Sequence, residues 1–237
     1  MIGADRLART VLGPALDRVV QLNQGPVDAW IRRVRRANPA AGPAQVVEVL
    51  ERQYRRTVMG LGAASGAAAA GPGITTGLGL ATAPGEIALF LEATALFAHA
   101  VAEIHGVHVD DPERKRTLVL AVALGEPGVR MAEKAAGRKG DWTRQLGHGM
   151  PLAKVQELNK VLGERFLTRY SRKQGLLVLG RAVPLGVGAA VGAAGNAALA
   201  QASISATRRA FGRPPTRFPA TLGKRRGPVV EGEVVAG

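Results

Sequence analysis

The sequence predicts an all-α protein: a single helical domain with Gly/Ala-rich, closely packed helical hairpins and a disordered C-terminal tail. Two uncharged segments support this, residues 57–85 with 16 Gly or Ala in 29 positions and residues 182–207 with 14 in 26. Only 4% of all residues are aromatic, so smaller side chains on closely spaced helices must fill the core. Apolar residues recur at helical spacing, and no alternating strand pattern of any length is present.

The first elements are predicted from apolar spacing. Residues 5–22 form one helix with a possible bend at Gly13-Pro14, and a second, basic amphipathic helix follows. A third helix starts at Pro43, a residue suited to a first turn, and runs through Val58. We divide the chain into an N-terminal helix (1–25), a helical domain (26–211) and a tail from residue 212, where prolines replace apolar periodicity.

Glycine and proline punctuate the middle of the chain. Gly71-Pro72-Gly73 and Pro84-Gly85 cut the glycine-rich region into helical pieces, the last of them covering residues 86–105. Asp111 and Pro112 form a helix start signal, and the helix that they open is apolar nearly all round, which predicts burial. Residues 126–149 read as a loop with at most a short helix, and residues 151–172 as a helix with one solvated face.

The charge distribution favours the cytoplasmic side of a membrane. A net charge of +14 attracts an anionic partner, whether phospholipid, nucleic acid or an acidic protein. Charges at Asp5, Arg6 and Arg9 occupy the place where a signal peptide needs apolar residues, so we expect no export by that route. Basic residues flank each uncharged segment on both sides, which opposes a single membrane crossing and favours a re-entrant hairpin or a domain lying on the surface.

Glycines four residues apart predict tight helix packing. This spacing removes side chains from one stripe of a helix, so that another backbone can approach it, within this chain or in a second copy of it. An interior glycine costs ~1 kcal/mol in helix propensity relative to alanine, so a packing role is expected. The residues are Gly62 and Gly66, Gly73 and Gly77, and Gly188 and Gly192.

The basic amphipathic helix is the candidate lipid-binding element. It places Trp30 at an apolar edge and Arg32, Arg33, Arg35 and Arg36 on the polar side, a composition suited to an anionic lipid surface. Two alternatives remain open: a solvated face that covers the core, and non-specific contact with nucleic-acid phosphates. The chain carries no recognisable zinc-finger, RRM or basic-zipper pattern, which disfavours nucleic acid.

A metal-dependent enzyme is the rival hypothesis. Glu92, His99 and Glu103 share one side of a predicted helix, as the ligands of carboxylate-bridged helical bundles do. No Glu-x-x-His pair accompanies them, and polar groups satisfied within a helical core explain the same residues. The sequence contains no phosphate-loop signature and no nucleophile paired with a base. We therefore expect no cofactor and favour a non-catalytic protein.

The order of these segments resembles the bacterial EcsC family, over about residues 27–218. The resemblance rests on Gly71-Pro72-Gly73-Ile74, on the acid-bearing helix after Pro84, on Asp111-Pro112-Glu113-Arg114, and above all on the segment from Gly180-Arg181 to Asn196. The resemblance implies an accessory or scaffold protein that is linked with membrane processes, transport or secretion and acts beside a transporter. It supplies no catalytic residues.

Overall fold

The computed structural model describes residues 13–21, 24–70, 83–137, 142–179 and 187–222. These ranges contain nine α-helices and no β-strand, so the all-α prediction is confirmed. In chain order the helices are α1 (Gly13–Val20), α2 (Gln24–Ala37), α3 (Pro43–Ala70), α4 (Ala83–Ile104), α5 (Pro112–Ala123), α6 (Glu126–Ala136), α7 (Trp142–His148), α8 (Leu152–Leu179) and α9 (Val187–Phe211). The apolar residues of α1 belong to the same core as those of the later helices, so residues 13–20 are part of the domain.

Helix α5 lies at the centre of the fold. The Asp111 side chain accepts a hydrogen bond from the backbone N–H of Arg114 at 3.0 Å, and Pro112 occupies the first turn. Every residue from Thr117 to Ala123 is buried, and α1, α4, α6, α7, α8 and α9 all pack against this helix. The expectation of a buried helix here is confirmed, because a helix that is apolar on all sides needs neighbours on all sides.

Helices α3 and α9 form an antiparallel pair that joins the two glycine-rich segments. Gln201 accepts a hydrogen bond from Arg55 at 2.7 Å, and Asn196 donates one to the carbonyl oxygen of Val58 at 3.1 Å. Partners of later α3 residues come earlier in α9, which defines the antiparallel direction. The prediction that glycine-rich helices need a close neighbour is thus met by pairing one segment with the other.

Gly62 is the point of closest approach between these two helices. A Cβ atom at this position would lie 2.3 Å from the carbonyl oxygen of Gly192 and 2.6 Å from the side-chain nitrogen of Asn196. Gly62 thus has the close backbone contact that its predicted packing role requires, and Gly192 supplies the contacted atom. Gly66 and Gly188 lie within α3 and α9 at positions whose surroundings are not described. The remaining predicted pair, Gly73 and Gly77, lies outside the described residues.

The segment expected to be mainly a loop, residues 126–149, contains two helices instead. Helix α6 follows Gly125 and ends at Gly137, and both glycines adopt positive φ angles, of 75° and 77°. Within α6, a Cβ atom on Gly128 would lie 2.3 Å from the carbonyl oxygen of Ala121. The sequence analysis treated these glycines as signs of a loop, whereas two of them bound a helix and the third allows α6 to approach α5. The prediction of at most a short helix was wrong.

Part of the predicted tail is packed against the domain. Residues 212–222, which we call the C-terminal strap, contain no helix, yet Phe218 and Leu222 are partly buried against the core. Pro219 lies beside Gly106, at 3.5 Å from the position of an added Cβ atom. The boundary at residue 212 is therefore corrected: the strap belongs to the packed domain, because its apolar residues find core partners. The rest of the predicted tail, 223–237, lies outside the described residues.

Candidate membrane-binding surface

Helix α2 presents two chemically distinct faces. Its apolar residues Val27, Ile31 and Val34 are 3%, 2% and 1% exposed and form part of the core. Its four arginines are exposed on the outer surface; they are Arg32, Arg33, Arg35 and Arg36. The helix therefore covers the core with one side and offers positive charge with the other. Because its apolar face is already buried, this helix cannot insert that face into a lipid bilayer while the domain stays folded.

Trp30 has a structural role in the folded domain. Its side chain is partly buried against the core, and its indole N–H donates a hydrogen bond to the side-chain oxygen of Gln53 on α3 at 2.6 Å. A tryptophan that anchors a protein in a membrane interface keeps its ring available to the lipid. This indole thus joins α2 to α3, and the lipid contact expected of Trp30 stays a prediction.

The surroundings of the four arginines leave their charges largely uncompensated. The guanidinium of Arg32 lies 4.0 Å from the carboxylate of Asp28, one turn earlier on the same helix. The guanidinium of Arg35 lies 4.3 Å from the centre of the Phe218 ring, a cation–π contact that keeps the charge. Arg33 and Arg36 form no ion pair with any residue that the structure describes. The outer face of α2 is thus a cationic surface on which Asp28 pairs with one of the four arginines.

Several arginines near the uncharged segments form ion pairs or hydrogen bonds within the protein. Arg208 donates to both carboxylate oxygens of the buried Glu51, at 2.7 and 2.5 Å. Arg209 pairs with Glu133, which is also buried, at 2.9 Å. The Arg114 guanidinium donates to backbone carbonyls at the end of α7. These side chains hold helices together, so the argument from positive flanks does not apply to them.

The described residues offer little apolar surface to a bilayer. One helical segment, Gly85–Ile104 in α4, is long and apolar enough to cross a membrane, but 72% of it is buried inside the protein. In the described part of the chain, the exposed large apolar side chains are Leu152 and Val161, both on α8. A buried core helix satisfies the same length and composition test as a membrane span. The cationic face of α2 is therefore the better candidate for contact with a membrane.

The structure separates the three candidate metal ligands. Glu92 lies 3.6 Å from Arg18, whereas Glu103 accepts hydrogen bonds from other side chains at the far end of α4. His99 is buried, and burial lowers its pKa from 6.5 to about 4, with a further lowering from Lys115. Across the ranges described above, no group of three or more acidic or histidine side chains is arranged to hold a metal ion. Glu92, His99 and Glu103 thus do not form a site together.

A polar cluster at the end of α4 joins Glu103, a metal-ligand candidate from the sequence, to residues that were assigned no role there. The Glu103 carboxylate lies 3.0 Å from Nδ1 of His108, and burial raises the pKa of this carboxyl group while the His108 hydrogen bond opposes the rise. Gln24 donates to Glu103 at 3.4 Å and to Asp110 at 3.2 Å. Nε2 of His108 lies 3.2 Å from the Thr221 hydroxyl on the C-terminal strap. This cluster joins α2, α4 and the strap.

Comparison with models of known protein families, with curated proteins and with solved structures gives no match for this chain. The resemblance to the EcsC family accordingly stays a prediction from the sequence.

Proposed function

We propose that this protein is a non-catalytic, peripheral membrane-associated protein of the bacterial cytoplasmic face, held to anionic phospholipid by the arginine face of α2. The observation that carries the proposal is the exposure of Arg32, Arg33, Arg35 and Arg36 on a helix whose apolar face is already buried in the core. Such a helix is rigidly mounted, so its charges meet a flat anionic surface together.

The expected binding is electrostatic. A basic residue close to an anionic bilayer contributes ~1 kcal/mol, so four arginines contribute up to ~4 kcal/mol before the competing contact of Arg32 with Asp28 is considered. This attraction decays within the Debye length, which falls from about 10 Å at 0.1 M salt to about 3 Å at 1 M. High salt should therefore release the protein from the membrane, whereas a hairpin embedded in the bilayer would stay there.

The resemblance to the EcsC family supports a role beside a membrane machine. Under this proposal the protein is an accessory or scaffold for a transport or secretion process, and the lipid contact serves to concentrate it at the membrane. A transporter or another membrane protein would be its protein partner. The close α3–α9 packing gives the rigid body that a scaffold requires.

The test is sedimentation with lipid vesicles made of phosphatidylcholine with or without phosphatidylglycerol. The test variant changes all four arginines of α2 to Gln; the control variant removes the same amount of charge from exposed positions on α6 and α8. Its substitutions are Lys134→Gln, Lys154→Gln, Lys160→Gln and Arg165→Gln. We expect the α2 variant to lose at least tenfold in partition onto anionic vesicles, and the control to lose much less.

Equal losses in the two variants would show that only net charge matters and would overturn the assignment to α2. A second test expresses the protein in a bacterial host and washes the membrane pellet with carbonate. If the protein stays in the pellet after this wash, peripheral binding is contradicted. Nucleic acid is the competing anionic partner, because the same arginines could contact phosphates without sequence specificity. Tighter binding of the wild-type protein to duplex DNA than to anionic vesicles at equal salt would favour that alternative over lipid.

A further inference from the structure

The C-terminal strap is held by three contacts, one to the cationic face of α2 and two to the segment that follows α4. The Phe218 ring lies 4.3 Å from the guanidinium of Arg35, Pro219 lies beside Gly106, and the Thr221 hydroxyl lies 3.2 Å from His108. Phe218 is also partly buried against the core. These contacts come from consecutive parts of the strap, so they define its path as well as its attachment.

The strap carries two exposed arginines, and one of them is the chain neighbour of the residue that contacts Arg35. Arg217 is exposed and directly precedes Phe218, so its Cα atom lies one residue step, about 3.8 Å, from that of the residue in contact with Arg35. Arg213 is also exposed, four residues earlier. Neither arginine forms an ion pair with a described residue, and the strap from 212 to 222 contains no acidic residue. The strap is thus a second source of positive charge beside α2.

We propose that α2 and the docked C-terminal strap form one composite surface for anionic phospholipid, with Phe218 as the residue that holds the two parts in register. The proposal rests on the proposed function and deepens it by assigning binding to a second segment, residues far from α2 in sequence. Phe218 is a positioning residue: it carries no charge, and it acts by fixing Arg217 next to Arg35.

The contribution of Phe218 follows from conformational entropy. A strap that is free in solution must be ordered when its arginines meet a membrane, and ordering costs ~1–2 kcal/mol for each residue fixed. Docking of Phe218 against Arg35 and the core pre-orders the strap, so Arg217 binds without this cost. Loss of an uncharged ring should therefore weaken an interaction that is itself electrostatic.

The experiment compares three single variants in the full chain by sedimentation with phosphatidylglycerol vesicles at low salt. Arg217→Gln should lower the partition coefficient about fivefold, the equivalent of ~1 kcal/mol. Phe218→Ala should lower it by at least a similar factor although it changes no charge. Arg165→Gln removes one exposed charge from α8, which is not part of the proposed surface, and should lower it less than twofold. Circular dichroism of each variant checks that the domain stays folded.

The outcomes separate this inference from the proposed function. Unchanged binding by Arg217→Gln overturns the composite surface even if the four substitutions on α2 abolish binding, and the proposed function then stands alone. Unchanged or stronger binding by Phe218→Ala also overturns it. Such a result would mean that freeing Arg35 contributes at least as much to vesicle binding as docking the strap does. If Phe218→Ala unfolds, Arg217→Gln decides alone, since a change at an exposed arginine leaves the core intact. If all of the α2 and strap variants bind vesicles as well as the wild-type protein does, both proposals are overturned.

Discussion

A methyl group added at Gly62 tests whether α3 and α9 are held together by direct backbone approach. In Gly62→Ala the new Cβ atom would lie 2.3 Å from the carbonyl oxygen of Gly192, a backbone atom, and 2.7 Å from Cγ of Asn196. The helices must separate locally, which costs ~1–3 kcal/mol as overpacking. Displacement of Asn196 also weakens its hydrogen bond to Val58, worth ~1 kcal/mol. Alanine returns ~1 kcal/mol of helix propensity, so the net loss is ~1–3 kcal/mol.

Gly60 provides the matched control on the same helix. It is exposed, and an added Cβ atom would meet nothing within 4 Å, so Gly60→Ala should stabilise the protein by ~1 kcal/mol. The two variants should therefore differ by ~2–4 kcal/mol in the free energy of unfolding, or by roughly 4–16 °C in Tm for a domain of this size. Urea titration and thermal melting followed by circular dichroism measure this difference. If Gly62→Ala is as stable as Gly60→Ala, the close approach does not exist and the packing argument is refuted.

Three further predictions test individual side chains. Burial holds the pKa of His99 at about 4, below the 6.5 of the unfolded chain, so the unfolded state takes up the proton first and stability falls as pH falls through this window. Between pH 7 and pH 4, the free energy of unfolding of the wild-type protein should fall by ~3 kcal/mol more than that of His99→Leu, as measured by urea titration. Parallel plots of this free energy against pH for the two proteins would contradict the prediction. Trp30→Phe should lower stability by ~1 kcal/mol through loss of the hydrogen bond to Gln53, while vesicle binding stays unchanged; a large loss of binding would restore a lipid contact for the indole. Arg208→Lys should cost ~1–2 kcal/mol because an ammonium cannot reproduce the two hydrogen bonds to the buried Glu51 carboxylate, and stability equal to wild type would show that the fork geometry is unimportant.

The elements predicted well from sequence are those with a local signature. Asp111 and Pro112 mark the start of α5 by their own backbone and side-chain preferences, and α2 shows its two faces within fourteen residues. Residues 126–149 were misread because glycine is ambiguous in isolation. The same residue ends a helix at Gly137, where φ is positive, and permits close packing at Gly128 inside a helix.

The candidate surface was predicted only where its residues have a local signature in the sequence. The four arginines of α2 were recognised because a basic stripe at helical spacing is visible in the chain, and their exposure agrees with it. The contact of Trp30 with α3 was not predicted, since an aromatic residue at the edge of an apolar face suits a lipid interface and a helix contact equally well. The Gln53 acceptor that distinguishes them lies on a different helix. The packing of the strap against the domain was not predicted, because its prolines and its lack of apolar periodicity are typical of a disordered tail.

The sequence alone determined where the helices with clear apolar periodicity form, which of their faces are apolar, and that two glycine-rich segments require a close neighbour. These properties depend on residues within a few turns of each other. The tertiary structure decided which helix that neighbour is, that Arg208 and Arg209 turn toward buried carboxylates, and that Phe218 reaches Arg35. These contacts join residues far apart in the chain. Which of these contacts form depends on how all the apolar faces can be buried at the same time. The sequence of one segment alone does not show this.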